Sequence, residues 1–151
     1  NRMGYQKLSE SYFSIMREKK IPVLVMFVDL DRLKYINDTF GHEYGDFAIV
    51  SIAKAMQKHC DADAITARTG GDEFIVLESA KDEEAGMLLA DKIRAELSAL
   101  REKMQLPFAL SASIGVVVAQ PGEENALESY VKRAEMLMYE EKTEKKVSRD
   151  S

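Results

Sequence analysis

Ala64-Ile65-Thr66-Ala67-Arg68-Thr69-Gly70-Gly71-Asp72-Glu73-Phe74-Ile75-Val76-Leu77 is the stretch on which the fold turns. Short apolar runs flank a Gly-Gly pair, which predicts a hairpin turn because paired positive φ angles cost glycine almost nothing. Two carboxylates, Asp72 and Glu73, follow at once, so the hairpin tip carries acid. Solvated acids beside Gly-Gly turns are common, and taken alone the hairpin leaves a structural and a functional reading open.

Upstream, Ile21 to Val28 reads Ile-Pro-Val-Leu-Val-Met-Phe-Val, short and β-branched enough to be a buried strand rather than a helix. It ends in Asp29-Leu30-Asp31, and acids at i and i+2 project to one side while the chain stays extended. Asp31 as a cap for the next turn accounts for one acid more readily than for two. Magnesium needs few protein carboxylates when waters and substrate phosphates complete its shell, so Asp29 and one hairpin acid would suffice. They meet only if their strands are sheet neighbours, which is the expected arrangement.

Outward from these two strands the pattern is helical. Leu8, Tyr12, Ile15 and Met16 mark a helix over Tyr5 to Lys20. Arg32 to Asp38 reads as a short turn or helix, Phe40 to Asp46 as a glycine-punctuated loop, and Ile49, Ile52, Ala53 and Met56 as a helix beginning at Asp46. Asp82 opens a long helix with Leu89, Ile93, Leu97, Leu100 and Met104 on its stripe, closed by Pro107. Phe108 to Ala119 alternates as a strand, Pro121-Gly122 breaks it, and Leu127, Val131, Ala134, Leu137 and Met138 mark a last helix before a charged tail at 147–151. One hairpin among helical crossovers gives an α+β fold, a mixed, mainly antiparallel sheet covered by helices in the ferredoxin-like style.

At 151 residues and 46% hydrophobic the chain is the size of one domain with ample core. It shows no run long enough for a membrane span and no secretory signal pattern, so a soluble, cytoplasmic domain without membrane contact is expected. Cys60 is the only cysteine and reads as a small buried hydrophobe. A net charge of −5 argues against nucleic-acid polymers as partners, while an anionic ligand remains possible where Lys34, Arg68, Lys142 and Lys146 are local. The chain starts at Asn1 rather than Met, which suggests a piece of a longer protein.

The run Asp29-Leu30-Asp31-Arg32-Leu33-Lys34-Tyr35-Ile36-Asn37-Asp38-Thr39-Phe40-Gly41-His42-Glu43-Tyr44-Gly45-Asp46, together with Gly70 to Phe74, strongly resembles the GGDEF domain of diguanylate cyclases. Ser111 to Val116 resembles the family's later strand motif, and Ala134 to Lys142 its last helix. The resemblance runs from Asn1-Arg2, similar to the end of a Pro-Asn-Arg motif, to Lys146, and implies a nucleotidyl cyclase-like fold over 1–146. It implies condensation of two GTP into cyclic di-GMP with release of pyrophosphate. One GTP would sit on each subunit of a facing homodimer, under an N-terminal sensory or regulatory domain absent from this chain, through which the parent could be membrane-anchored.

By the same resemblance Asp29, the Leu30 carbonyl and Asp72 are the metal ligands for Mg2+, with Mn2+ as an alternative. Asp72 is also the proton acceptor, and Glu73 supports the site. Lys34 faces the triphosphate, backbone amides near Arg32 and Leu33 cradle phosphate oxygens, and Gly71 lies against the substrate. Asn37 and Asp46 match the guanine readers, although Asp46 could equally be a helix N-cap and Lys34 a solvated surface lysine. His42 orients the loop or touches the nucleotide. Lys142 matches a phosphate-binding lysine, whereas Lys146 stands where the family has arginine, which loses the planar fork, and Val147 where it often has asparagine.

A further departure is Asp61-Ala62-Asp63-Ala64, which occupies the place of an Arg-x-x-Asp product-inhibition site. A domain lacking that brake is expected. A non-catalytic GTP-binding sensor or interaction domain is the rival reading, and a cyclase of relaxed purine choice is a third that Asp46 disfavours, since its carboxylate would repel the acceptor N1 of adenine.

Overall fold

The computed structural model describes residues 2–150; Asn1, where the Pro-Asn-Arg resemblance starts, and Ser151, the end of the tail, lie outside them. The elements are α1 (Arg2–Glu18), β1 (Val23–Leu30), α2 (Leu33–Phe40), α3 (His42–His59), β2 (Ile65–Arg68), β3 (Glu73–Ser79), α4 (Glu83–Met104), β4 (Ala112–Ala119) and α5 (Leu127–Asp150). The strands form one sheet in the order β2-β3-β1-β4.

The expected α+β fold with a mainly antiparallel sheet covered by helices is found; every adjacent pair is antiparallel, so the parallel pairing that would make the sheet mixed is absent among the described residues. The reason is interleaving. The helical connection from β1 to β2 joins strands of the same direction with β3 between them, and α4 joins β3 to β4 with β1 between them. The predicted adjacency of β1 and β3 holds, with Asp29 opposite Glu73.

Alternation along β1 sorts its side chains. Leu24, Met26, Val28 and Leu30 pack with Ile36, Ile52, Met56, Leu89, Ile93 and Leu97 beneath α2, α3 and α4. Val23, Val25 and Phe27 face the other way, against Phe13 of α1 and Leu127, Tyr130, Ala134 and Met138 of α5. Asp29 and Asp31 continue this second series, so the fold delivers both acids to the α5 face. Helix α5 can lie close because β4 offers Gly115, where a Cβ would come within 1.8 Å of the Ala134 carbonyl oxygen. It continues without a break through 147–150, so this part of the charged tail is helical.

Two further expectations change. Phe40 to Asp46 is no loop: α2 and α3 are separated by Gly41 alone, at φ 104°, a value glycine adopts without penalty. Asp46 therefore lies inside α3 and does not cap it. The last strand begins at Ala112, with Phe108 and Leu110 buried on an irregular approach. Asp82 caps α4 as expected, its carboxylate accepting from the Ala85 amide at 2.9 Å.

Candidate active site

The site forms where the end of β1 meets the β2–β3 turn. The Leu30 amide donates to the Asp72 carbonyl at 3.0 Å and the Thr69 amide to the Glu73 carbonyl at 2.9 Å, which locks the turn against the strand end. Asp29, Asp72 and Glu73 thereby bring three carboxylate oxygens within 4.8 Å of one another. Lys142 of α5 reaches over them, its Nζ 3.1 Å from Asp29 Oδ1, 3.7 Å from Asp31 Oδ1, and donating to the Leu30 carbonyl at 3.3 Å.

The electrostatics are those of an incomplete site. Asp29 is only 5% exposed, and its Oδ1 receives no well-directed hydrogen bond, so the nearby lysine is an ionic neighbour rather than a satisfying donor. Burial, opposed by Lys142 and reinforced by the charge of Asp72, pushes the Asp29 carboxyl up to about 7. The Glu73 carboxyl is also raised, by burial first and then by Asp72. Three hard oxygen donors with an orphaned, desolvated member fit a divalent cation of the magnesium class, which would relieve both the repulsion and the missing partner.

The glycines of the turn act differently from the sequence expectation. Neither Gly70 nor Gly71 adopts a left-handed φ. Arg68 instead shapes the turn, its Nη2 donating to the Gly71 carbonyl at 2.6 Å and its Nε to both glycine carbonyls at 3.2 Å. A Cβ at Gly71 would meet nothing within 4 Å, so this residue leaves open approach to its backbone, while at Gly70 a Cβ would crowd Glu73 at 3.2 Å. A cleft of about 910 Å³ between α1 and α5, with Phe27 and Ile75 among its lining residues, reaches Thr69 and Glu73.

The second group of expected residues follows directly from β1. Arg32 stands in the left-handed region at φ 58°, and its guanidinium lies 3.9 Å from the Tyr35 ring centre. This kink starts α2 at Leu33 without a side-chain cap, leaving first-turn amides free to bind an anion. The side chains of Lys34, His42 and Asp46 are exposed and form no hydrogen bond or ion pair with the described residues. Asn37 is half-buried with an unpartnered Oδ1, pressed so close to α3 that a Cβ on Gly45 would sit 1.7 Å from that oxygen. Lys146 is exposed on α5 and forms no ion pair with the described residues.

Five participants, Ser111, Ser113, Lys145, Arg94 and Glu141, escape a reading of the sequence. Asp31 accepts from Ser111 Oγ, Ser113 Oγ and Lys145 Nζ, each at 2.7 Å. Arg94 Nη2 donates to both carboxylate oxygens of Glu141, at 2.8 and 3.0 Å, and Glu141 in turn accepts the edge amide of Ile114. The only signal for the first network was the Ser-x-Ser alternation at 111 and 113, whose period matches Asp29 and Asp31.

Residues 1–148 match the family model described as diguanylate cyclase, GGDEF domain. The chain is 36% identical over 127 residues to a probable diguanylate cyclase of Escherichia coli K12, DgcT, an alignment that takes in 82% of the chain and 28% of that protein. It is likewise 36% identical over 125 residues to the diguanylate cyclase VdcA of Vibrio cholerae, covering 80% of the chain and 36% of the relative. The chain thus spans well under half the length of these curated relatives. Among solved structures, the GGDEF domain of DgcB from Caulobacter crescentus, in complex with c-di-GMP, superposes with a TM-score of 0.82 at 25% identity, over 95% of this chain and 85% of that one.

Proposed function

The chain belongs to the GGDEF domain family, and on that premise we propose that it is the catalytic module of a diguanylate cyclase, which joins two GTP molecules into cyclic di-GMP and releases two pyrophosphates. The observation that carries this reading is the triad of Asp29, Asp72 and Glu73, with its orphaned Asp29 oxygen, beneath the Lys142 ammonium.

Asp29, the Leu30 carbonyl and Asp72 would hold a magnesium or manganese ion, with Glu73 as support. When bound, such an ion supplies charge neutralisation on the triphosphate and makes the attacking hydroxyl a better nucleophile. Asp72, on the turn that faces the substrate, accepts the 3′-hydroxyl proton as that oxygen bonds to the partner nucleotide's α-phosphorus and the bond to the departing pyrophosphate breaks. Lys34, Lys142 and the amides after Arg32 counter the phosphate charge, and Gly71 lets the substrate come close to the turn backbone. Asn37 on α2 and Asp46 on α3 are the guanine readers, and Asp46, free of any capping duty, can accept from guanine N1 and N2 together. His42, at the start of α3, contacts the nucleotide, and Lys146 adds positive charge further along α5.

One GTP per domain leaves each site with half of the reaction, so turnover requires two copies face to face. The exposed Asp61 stands where a product-binding arginine would, and Ala64 where its aspartate would, so tight feedback binding of cyclic di-GMP at 61–64 is not expected. Calorimetric titration with cyclic di-GMP checks this, and tight binding abolished by changing that segment overturns it.

The activity is tested by incubating an artificially dimerised domain with GTP and magnesium and detecting cyclic di-GMP by mass spectrometry, with Asp72→Ala as the control. Product from the wild type alone is the expected result. GTP binding without product under enforced dimerisation would establish the non-catalytic sensor instead.

A further inference from the structure

Helix α5 carries two lysines over the end of β1, and they divide two aspartates unequally. Asp31 is 7% exposed and holds three short hydrogen bonds, from Ser111, Ser113 and Lys145. Lys145 spends a further donor on the Ala112 carbonyl at 2.8 Å, so it clamps α5 to the start of β4. Lys142, one helical turn earlier, donates a long bond to the Leu30 carbonyl at 3.3 Å and lies 3.1 Å from Asp29 and 3.7 Å from Asp31, with no directed hydrogen bond to either carboxylate.

We propose that Lys145 and Asp31 are positioning residues for Lys142: by saturating Asp31, Lys145 keeps it from capturing Lys142 and so leaves that ammonium available to substrate phosphate. The physical basis is competition for one cation. A buried carboxylate without a charged partner is costly, so removing Lys145 makes Asp31 draw on its next ammonium, Lys142, 3.7 Å away. Asp31 would then draw Lys142 from its loose contacts with Asp29 and the Leu30 carbonyl into a direct bond, further from the open turn. Burial by itself would raise the Asp31 carboxyl, but the bonds from Lys145, Ser113 and Ser111 outweigh it and keep it below its ordinary value, as expected of an anion already satisfied.

The inference rests on the reading of Lys142 as a phosphate-binding group, and its test needs no turnover. GTP with magnesium, and guanosine, are titrated separately against wild type, Lys145→Met, Lys145→Gln and Lys145→Arg, with binding followed by NMR shifts. Both neutral variants are expected to weaken GTP about tenfold, the scale of one charge-assisted contact, with guanosine affinity unchanged and GTP affinity largely restored by Lys145→Arg. Neutral variants that bind GTP like wild type, or that lose GTP and guanosine alike, overturn the positioning role. A wild type that binds no GTP overturns the functional reading together with it.

Discussion

Asp29 and Asp31 leave β1 on the same side, separated by Leu30, and meet opposite surroundings. Asp29 faces two other carboxylates, has Lys142 as an ionic neighbour without a directed hydrogen bond, and is pushed towards neutrality. Asp31 faces two serines and a lysine and is held as an anion. The same side chain on the same face thus becomes an open valence or a structural anchor according to whether neighbouring strands supply donors. Burial does not separate them, since they are 5% and 7% exposed. The supply of partners does.

The sharpest way to break this contrast is to neutralise each acid in turn. Asp29→Asn should lower cyclic di-GMP formation about a thousandfold, because a lost metal ligand removes several kcal/mol of transition-state stabilisation. The melting temperature of the metal-free variant should meanwhile hold or rise, since the substitution relieves a repelled, desolvated charge. A clear fall in melting temperature would show that Asp29 is an anchor after all.

Asp31→Asn should instead destabilise the domain by about 2 kcal/mol, the worth of charged hydrogen bonds in a partly solvated setting. Denaturant unfolding measures it, and an unchanged midpoint would dissolve the distinction.

The two acids also predict separate pH windows in chelator-treated protein. Between its ordinary 3.8 and about 7, Asp29 is protonated in the folded chain and ionised in the unfolded one, so its effect is a decline of stability as pH rises through that range. Asp31, lowered on folding, contributes stability above 3.8 that disappears as pH falls through its folded value. Melting temperatures across both windows test the signs, and Asp29→Asn should flatten only the upper one. The smallest effect is Ser113→Ala, which removes one of three donors to Asp31 and should cost about 1 kcal/mol in denaturant unfolding.

The sheet neighbours and the carboxylate triad were legible because strands announce themselves locally: the apolar run before Asp29 and the acids after Gly71 predict adjacency, and adjacency predicts the cluster. The Asp31 anchor was not, because it joins residues about eighty to a hundred and fourteen positions apart through long side chains whose reach no local pattern encodes. Gly41 was read as part of a loop, yet one glycine at φ 104° suffices to turn the chain from one helix into the next. Gly70 and Gly71 invited the opposite error: their freedom suggested positive φ, while the turn uses their lack of side chains and the grip of Arg68.

The contact of Gly115 with the backbone of α5 at Ala134 makes the helix a lever with a fixed fulcrum. Lys142 lies about 12 Å further along at 1.5 Å per residue, so a tilt of about 5° at the fulcrum would swing its stem by about 1 Å. Errors of that size are what reactions dependent on alignment tolerate least. A missing side chain on an edge strand therefore governs, at a distance, how accurately a positive charge is aimed.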